Sequence, residues 1–186
     1  MALDDGAVVI PGEGHLYLDL AGTATRPTDP YNPGPDLVEI GHTSRESPLT
    51  IAQDGGERTT HGSWQNSALR ESISPVTHMF QFALLQWDAL AYQLYYGAGG
   101  TTDGDYYGVA KGTPQPTEGA MYIRVDDGPQ FADFWIPRVS ILRADNVELD
   151  PEALTGFPVQ ATVLGVSELA DLFQVGAKRT YTPPAP

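Results

Sequence analysis

Cysteine is absent from the chain, which removes disulfides, zinc–thiolate sites and thiol nucleophiles at the outset. Lysine is nearly absent: Lys111 and Lys178 are the only two. Lysine and proline commonly guard exposed strand edges, so a β-rich chain with so few lysines leaves edges open to pairing. A plain preference for arginine over lysine would give the same count. Charge of either sign is sparse at 18% of residues, yet 24 acidic residues face 10 basic ones, for a net charge of −14. That balance disfavours tight binding to phosphate backbones, which needs clustered Lys and Arg. It suits a surface along which nucleic acid slides without sticking, and equally a protein that is simply soluble. No apolar run approaches the roughly 20 residues needed to span a bilayer. The opening MALDDGAVVIPGEG has neither a basic segment nor a long apolar one, so the expectation is no signal peptide and a cytoplasm-like compartment, or a particle built there.

What is present is enough apolar material for one domain. Hydrophobic residues make up 41% and aromatics 10% of 186 residues, while 20 Gly and 16 Pro make the chain turn-rich without reaching the composition of disorder. Alternating runs predict strands at His15–Leu20, Leu37–Ile40, Leu49–Ala52, within 72–86, at Tyr106–Val109, Phe157–Val166 and Leu172–Val175. In the 72–86 run, Val76, Phe80, Phe82 and Leu84 are assigned to an apolar face, and Thr77 and Gln81 to the opposite one. Two further runs, MYIRV and QFADFWIPRVSIL, flank Asp127-Gly128 and predict a hairpin, with Pro137 marking an edge, bulge or strand end. Trp87, Leu90, Ala91 and Leu94 fall at helical spacing and predict one helix of about three turns packed on the sheet, ended by Gly97. The proline-rich AGTATRPTDPYNPGPD reads as a long loop. The fold class is therefore mainly β: about eight strands in an antiparallel sandwich or barrel, with one flanking helix and long loops, in a single domain over 1–186.

Catalytic patterns are missing. His15, His42, His61 and His78 are scattered, with no metal-ligand spacing among them. Ser lies near His in GHTS and HGSW, but sequence proximity does not make a triad. Asp126-Asp127 precede Gly128 and read as turn residues rather than a cooperating acid/base pair. The residues therefore suggest no enzyme, metal or cofactor. Trp87, Tyr92, Tyr95 and Tyr96 could form a platform for sugar, which keeps a monomeric β-sandwich binding module, for carbohydrate or similar, as the alternative.

The order of segments from Leu37 to about Leu164 resembles the major tail proteins of long-tailed bacteriophages, most of all those infecting actinobacteria. The segments are EIGHTS, LTIAQDGG, GSWQNSALR, SPVTHMFQFALLQ with the helix after it, GAMYIRVDDG, FWIPRVSI and VELDPEALTGFPVQATVL. The resemblance implies a non-enzymatic tail tube protein of the virion tail, assembled in the host cytoplasm. Subunits of that family form six-membered rings that stack into a hollow tube, with four strands per subunit lining the channel for double-stranded DNA. Tape-measure, tail-tip and tail-terminator proteins are the implied partners, with no membrane. The implied assembly segments are an arm at about 1–14, a loop at about 41–72 and a tail at about 177–186. In the loop, Asp54-Gly55-Gly56 is expected to reverse the chain, with Glu57, Arg58 and the anchor Trp64 meeting the next ring. Glu39, Glu71, Thr77, Gln81 and Asp133 are the expected lumen-facing residues, and Arg124 is expected to pair with an acid across the subunit interface.

Overall fold

A computed structural model describes residues 3–182. In chain order it contains β1 (Glu13–Asp19), β2 (Val38–Glu39), β3 (Thr50–Gly55), β4 (Arg58–His61), β5 (Arg70–Ile73), β6 (Val76–Leu84) and α1 (Ala89–Tyr96). There follow β7 (Thr101–Asp103), β8 (Tyr106–Gly108), β9 (Thr117–Asp127), β10 (Gln130–Arg143), β11 (Phe157–Val163) and β12 (Gln174–Thr180). The mainly β expectation holds.

One antiparallel sheet organises the molecule in the order β2-β1-β9-β10-β11-β6-β3, with β12 pairing β10 outside that path. The 14-residue β10 is the spine. Its first half lies between β9 and β12, its second half between β9 and β11. A register shift between Ile136 and Val139 separates the halves at Pro137, which has no N–H to give the ladder. The bend brings the two wings of the sheet together. Leu16, Leu18, Met121 and Ile123 from one wing join Phe80, Phe82, Leu84, Val159 and Ala161 from the other in one buried cluster. Each Leu, Ile or Phe so buried contributes about 1.5–3 kcal/mol.

The β9–β10 hairpin forms, but its turn is Gly128-Pro129, flanked by the paired Asp127 and Gln130. Gly128 has φ +60°, the left-handed conformation a II′ hairpin turn needs first, and proline suits the next position. Asp127 is therefore a strand residue and not half of the turn.

Helix α1 is shorter than its apolar spacing suggests. The Asp88 side chain accepts a 2.8 Å hydrogen bond from the Ala91 N–H and caps the helix, so Trp87 stands outside it. Trp87 meets Phe157 edge-on at 5.0 Å while remaining 55% exposed, and Tyr92 and Tyr95 meet the same ring at 5.6 and 5.4 Å. Ala91, Leu94 and Tyr95 are buried and Leu90 is half-buried. Tyr95 is spent on packing, whereas Trp87 and Tyr96 stay exposed, and Trp87 and Tyr92 border a shallow hollow with Tyr106 and Tyr107.

The proline-rich segment after β1 is an ordered cover on the outer face of the β1–β9–β10 wing. The buried Asp19 carboxylate starts it, accepting N–H bonds of 2.7–2.8 Å from Ala21, Thr23 and Ala24. Beneath it, Tyr17, Leu37, Ala120, Tyr122 and Trp135 form a second buried cluster, with Ala24 against it. This wing consequently has no bare outer face.

Candidate assembly surfaces

Strands β4 and β5 build an arm that continues the β3–β6 pair beyond the sheet. Pairing runs from Thr50↔Gln81 to Gly55↔Val76, and resumes without slip from Arg58↔Ile73 to His61↔Arg70. The gap is bridged by the Gly56 N–H on the Pro75 carbonyl and the Ser74 N–H on the Glu57 carbonyl. The reversal comes at the tip, where Ser63 and Asn66 exchange backbone hydrogen bonds. All eight residues of β4 and β5 are exposed. Two expectations are corrected here. Residues 41–72 are largely one limb and the tip of a β-ribbon rather than a loop. Asp54-Gly55-Gly56 does not reverse the chain: Gly55 and Gly56, at φ +83° and +74°, swivel it as it runs on into the arm.

The polar composition of 40–64 now has a physical reading, because a ribbon exposed on both faces has no core to fill. Its apolar residues are the exception. Trp64 at the tip is fully exposed, and Leu69 and Ile73 are largely so. Glu57 donates its N–H to Ser74 Oγ, and Arg58 lies 3.5 Å from Glu71 across the ribbon. A two-stranded ribbon alone in water is marginally stable at best, so such an arm gains from a partner surface.

The five residues expected on a channel wall are not brought together. Thr77 and Gln81 share one face of β6, where Gln81 donates to Gln160 of β11 at 2.9 Å. Glu71 sits out on the arm. Glu39 lies at the opposite edge of the sheet, 2.7 Å from His15 Nδ1. Asp133 is corrected outright: it is buried beneath β12, where Arg179 reaches it through two N–H groups at 2.6 and 2.9 Å and the Tyr122 hydroxyl donates at 3.0 Å. Those bonds keep Arg179 protonated beyond even its ordinary range. Burial first, and then the adjoining Asp133 carboxylate, push the Tyr122 phenol far above the usual tyrosine value. Gly176 faces Asp133 across the ladder because any Cβ there would overlap the carboxylate.

Arg124 is also satisfied within its own chain. Its guanidinium is buried, lies 3.1 Å from Asp126 Oδ2, donates to the Pro30 carbonyl at 2.9 Å and stacks 4.1 Å over Tyr31. No signal short of the fold marks Pro30 or Tyr31 as its partners. The histidines stay apart: His15 lies beside Glu39 and Asp126, His61 beside Ser72 and His78 against Phe173.

The chain ends are partly docked. The N-terminal segment is pinned at Ile10, whose N–H donates to Asp127, and at Val8, whose carbonyl accepts from Lys178. The Lys178 ammonium first, and then the Ile10 N–H, hold the Asp127 carboxyl below the usual range. The expected tail at 177–186 begins inside a strand, since β12 runs to Thr180. Residues 1, 2 and 183–186 lie outside the described residues.

A covered wing beside an exposed arm without a core of its own is the frame of a structural component. The chain belongs to the phage tail tube protein family, whose profile matches residues 1–186. It is 31% identical over 178 residues to the major tail protein Gp23 of Mycobacterium phage L5, covering 88% of each chain. Against the protein of the same name in Mycobacterium phage D29 it is 31% identical over 177 residues, again covering 88% of each. The chain is thus a non-enzymatic, polymerising component of the phage tail.

Proposed function

We propose that the chain assembles in the host cytoplasm into six-membered rings that stack into the hollow tail tube, through which double-stranded DNA passes. The arm built on β4 and β5 carries this reading, because among the described residues none covers its Trp64, Leu69 or Ile73. The free edge of β3, Thr-Ile-Ala-Gln-Asp-Gly, supports lateral pairing, since it holds no Lys or Pro to block it.

The channel wall in this reading is the outer face of β3, β6, β11 and the second half of β10. Cross-strand partners place Thr50, Gln81, Gln160 and Leu142 in one row, and Ala52, Met79, Thr162 and Ser140 in the next. Both rows are uncharged. With six copies of a −14 chain around it, a duplex meets hydroxyls, amides and a few apolar side chains on the wall and net repulsion from the whole, and it slides. Screening confines that repulsion to roughly 8–10 Å at cellular salt. Glu39 and Glu71 act at the ring edge and the arm. Tape-measure, tail-tip and terminator proteins set the length and ends of the tube.

Electron microscopy of the purified protein at high concentration tests the reading. Stacked rings or striated tubes are the expected result, with free rings when residues 58–73 are replaced by a short Gly-Ser turn. Normal tubes from that deletion would sink the role of the arm. A wild-type protein that stays monomeric and binds a saccharide saturably would replace the reading with a binding module.

A further inference from the structure

The β7–β8 hairpin lies beside the start of α1. Its turn is Gly104-Asp105, with Gly104 at φ +57°, the left-handed conformation a II′ turn needs first, and Asp105 stands exposed there. Tyr107 holds the hairpin down: its hydroxyl donates to the Gly97 carbonyl at 2.6 Å, and its ring tilts against Tyr92 at 6.1 Å. Gly100 lets that ring lie flat, since any Cβ there would overlap it. Between hairpin and helix is a hollow of about 270 Å³, walled by Trp87, Asp88, Tyr92, Thr102, Asp105 and Tyr107. Small-molecule sites span roughly 300–1,000 Å³, so this one suits a single six-membered ring.

The lining narrows the ligand chemistry. Trp87 is more than half exposed although it meets Phe157, so ring surface is left over. Asp88 commits Oδ1 to the Ala91 N–H and keeps its other oxygen to accept. Among the described residues no Lys, Arg or His pairs with Asp88 or Asp105. The Thr102 hydroxyl and the Trp87 indole N–H add groups that donate. A ligand matched to this set gives and takes hydrogen bonds around its rim and offers an apolar face to the indole. A pyranose does both, through its hydroxyls and its flat C–H face. An ammonium ion only donates, and a phosphate or carboxylate meets two acids.

We propose that this hollow is a subsite for one neutral pyranose unit, stacked on Trp87 with its hydroxyls donating to Asp88 and Asp105. The subsite belongs to the subunit and does not require stacking. Phe157, against which Trp87 and Tyr92 pack, lies on the core side of β11, opposite to Gln160 and Thr162. In the tube proposed above, the hollow therefore faces away from the channel and is repeated along the tail. A single contact of this kind is weak, with a Kd of about 1–10 mM. Repetition against a surface that carries many sugars multiplies it without any new contact.

Saturation-transfer difference NMR on the full chain, as subunits and as tubes, tests the subsite with the methyl glycosides of glucose, galactose and mannose. At least one probe should receive saturation on its ring C–H protons in both forms. Asp105→Asn, on an exposed turn, should weaken that Kd about tenfold without touching the core. Trp87→Ala should abolish the transfer, with a thermal melt to separate lost binding from the lost Phe157 contact. Tubes that are retained on agarose or cross-linked dextran, and released by the cognate glycoside, would identify a glycan chain as the source of the sugar. Glycoside binding without retention would identify a free sugar. Binding by a protein that forms no tubes would keep the subsite and remove the tube reading. Four results would overturn the subsite: no transfer to any probe at about 50 mM, well above that Kd; transfer unchanged in both variants; choline taking saturation in place of the sugars, which would make the hollow a cation cage; and binding by subunits that vanishes in tubes, which would give the hollow to a contact between copies.

Discussion

Arg179 closes on Asp133 from 46 positions along the chain, its Nη1 and Nη2 donating to the two carboxylate oxygens at 2.9 and 2.6 Å. The pair ties the last strand to the spine of the sheet. Asp133 is only 10% exposed at its side chain and Arg179 is 46% exposed, so the carboxylate is the member that suffers when the bond is cut.

Arg179→Ala is expected to destabilise the subunit by about 2 kcal/mol, below the range for a fully buried pair because Arg179 is half in water. Thermal unfolding would fall by several degrees. Arg179→Lys should recover part of the loss, since it restores the charge without the two-pronged geometry. A melting temperature unchanged in Arg179→Ala would mean that β12 docks by its backbone alone.

The swivel at Gly55 and Gly56 gives a second expectation. Both sit at positive φ, and a Cβ on Gly55 would overlap the Pro75 carbonyl. Gly55→Val should cost about 1–3 kcal/mol locally by straining a conformation that β-branched residues avoid. The body of the molecule does not depend on that swivel, so the mutant should melt near the wild-type temperature and yet stack poorly. Amide exchange would be faster in β4 and β5 and unaltered in β9–β11. Equal protection of the arm in mutant and wild type would count against the role of the swivel.

Acid should reveal Asp19. Burial alone would raise its carboxyl, but the backbone N–H groups of Ala24, Ala21 and Thr23 outweigh that effect and hold it below the usual aspartate range. A carboxyl lowered in the folded state stabilises fully above its unfolded value, about 4, and loses that contribution as pH falls through its folded value. The wild type should therefore lose stability from about pH 4 downward. Asp19→Asn should start lower at neutral pH and show a shallower acid slope in a pH series of thermal melts. Parallel slopes would remove Asp19 from the acid response.

Much of the body was legible in the sequence because burial imposes a period. Alternation in 130–143 reflects a strand whose residues are buried in turn, 119–124 form a continuous run buried on both faces, and Pro137 announced the bulge through its missing N–H. The helix was found for the same reason, although its start was set one residue past the Asp88 cap rather than by its apolar spacing. The arm was not legible. Its strands bury neither face, so polar residues occupy both and no period survives. Asp54-Gly55-Gly56 carries the residues of a tight turn, and only the unbroken register across it shows a swivel instead.

By itself the sequence determined a cysteine-free, acidic, mainly β chain of the tail tube family, since composition, alternation and segment order are properties of the chain alone. Tertiary structure decided which charges are free. Asp133 and Arg124 look like surface residues on their strands, yet both are buried by segments far along the chain, Asp133 against Arg179, 46 positions away, and Arg124 against Pro30, 94 positions away. It also decided that the proline-rich segment covers one wing and leaves the other face bare. Such outcomes depend on which strands become neighbours, and pairing between distant segments is written in no local stretch of residues.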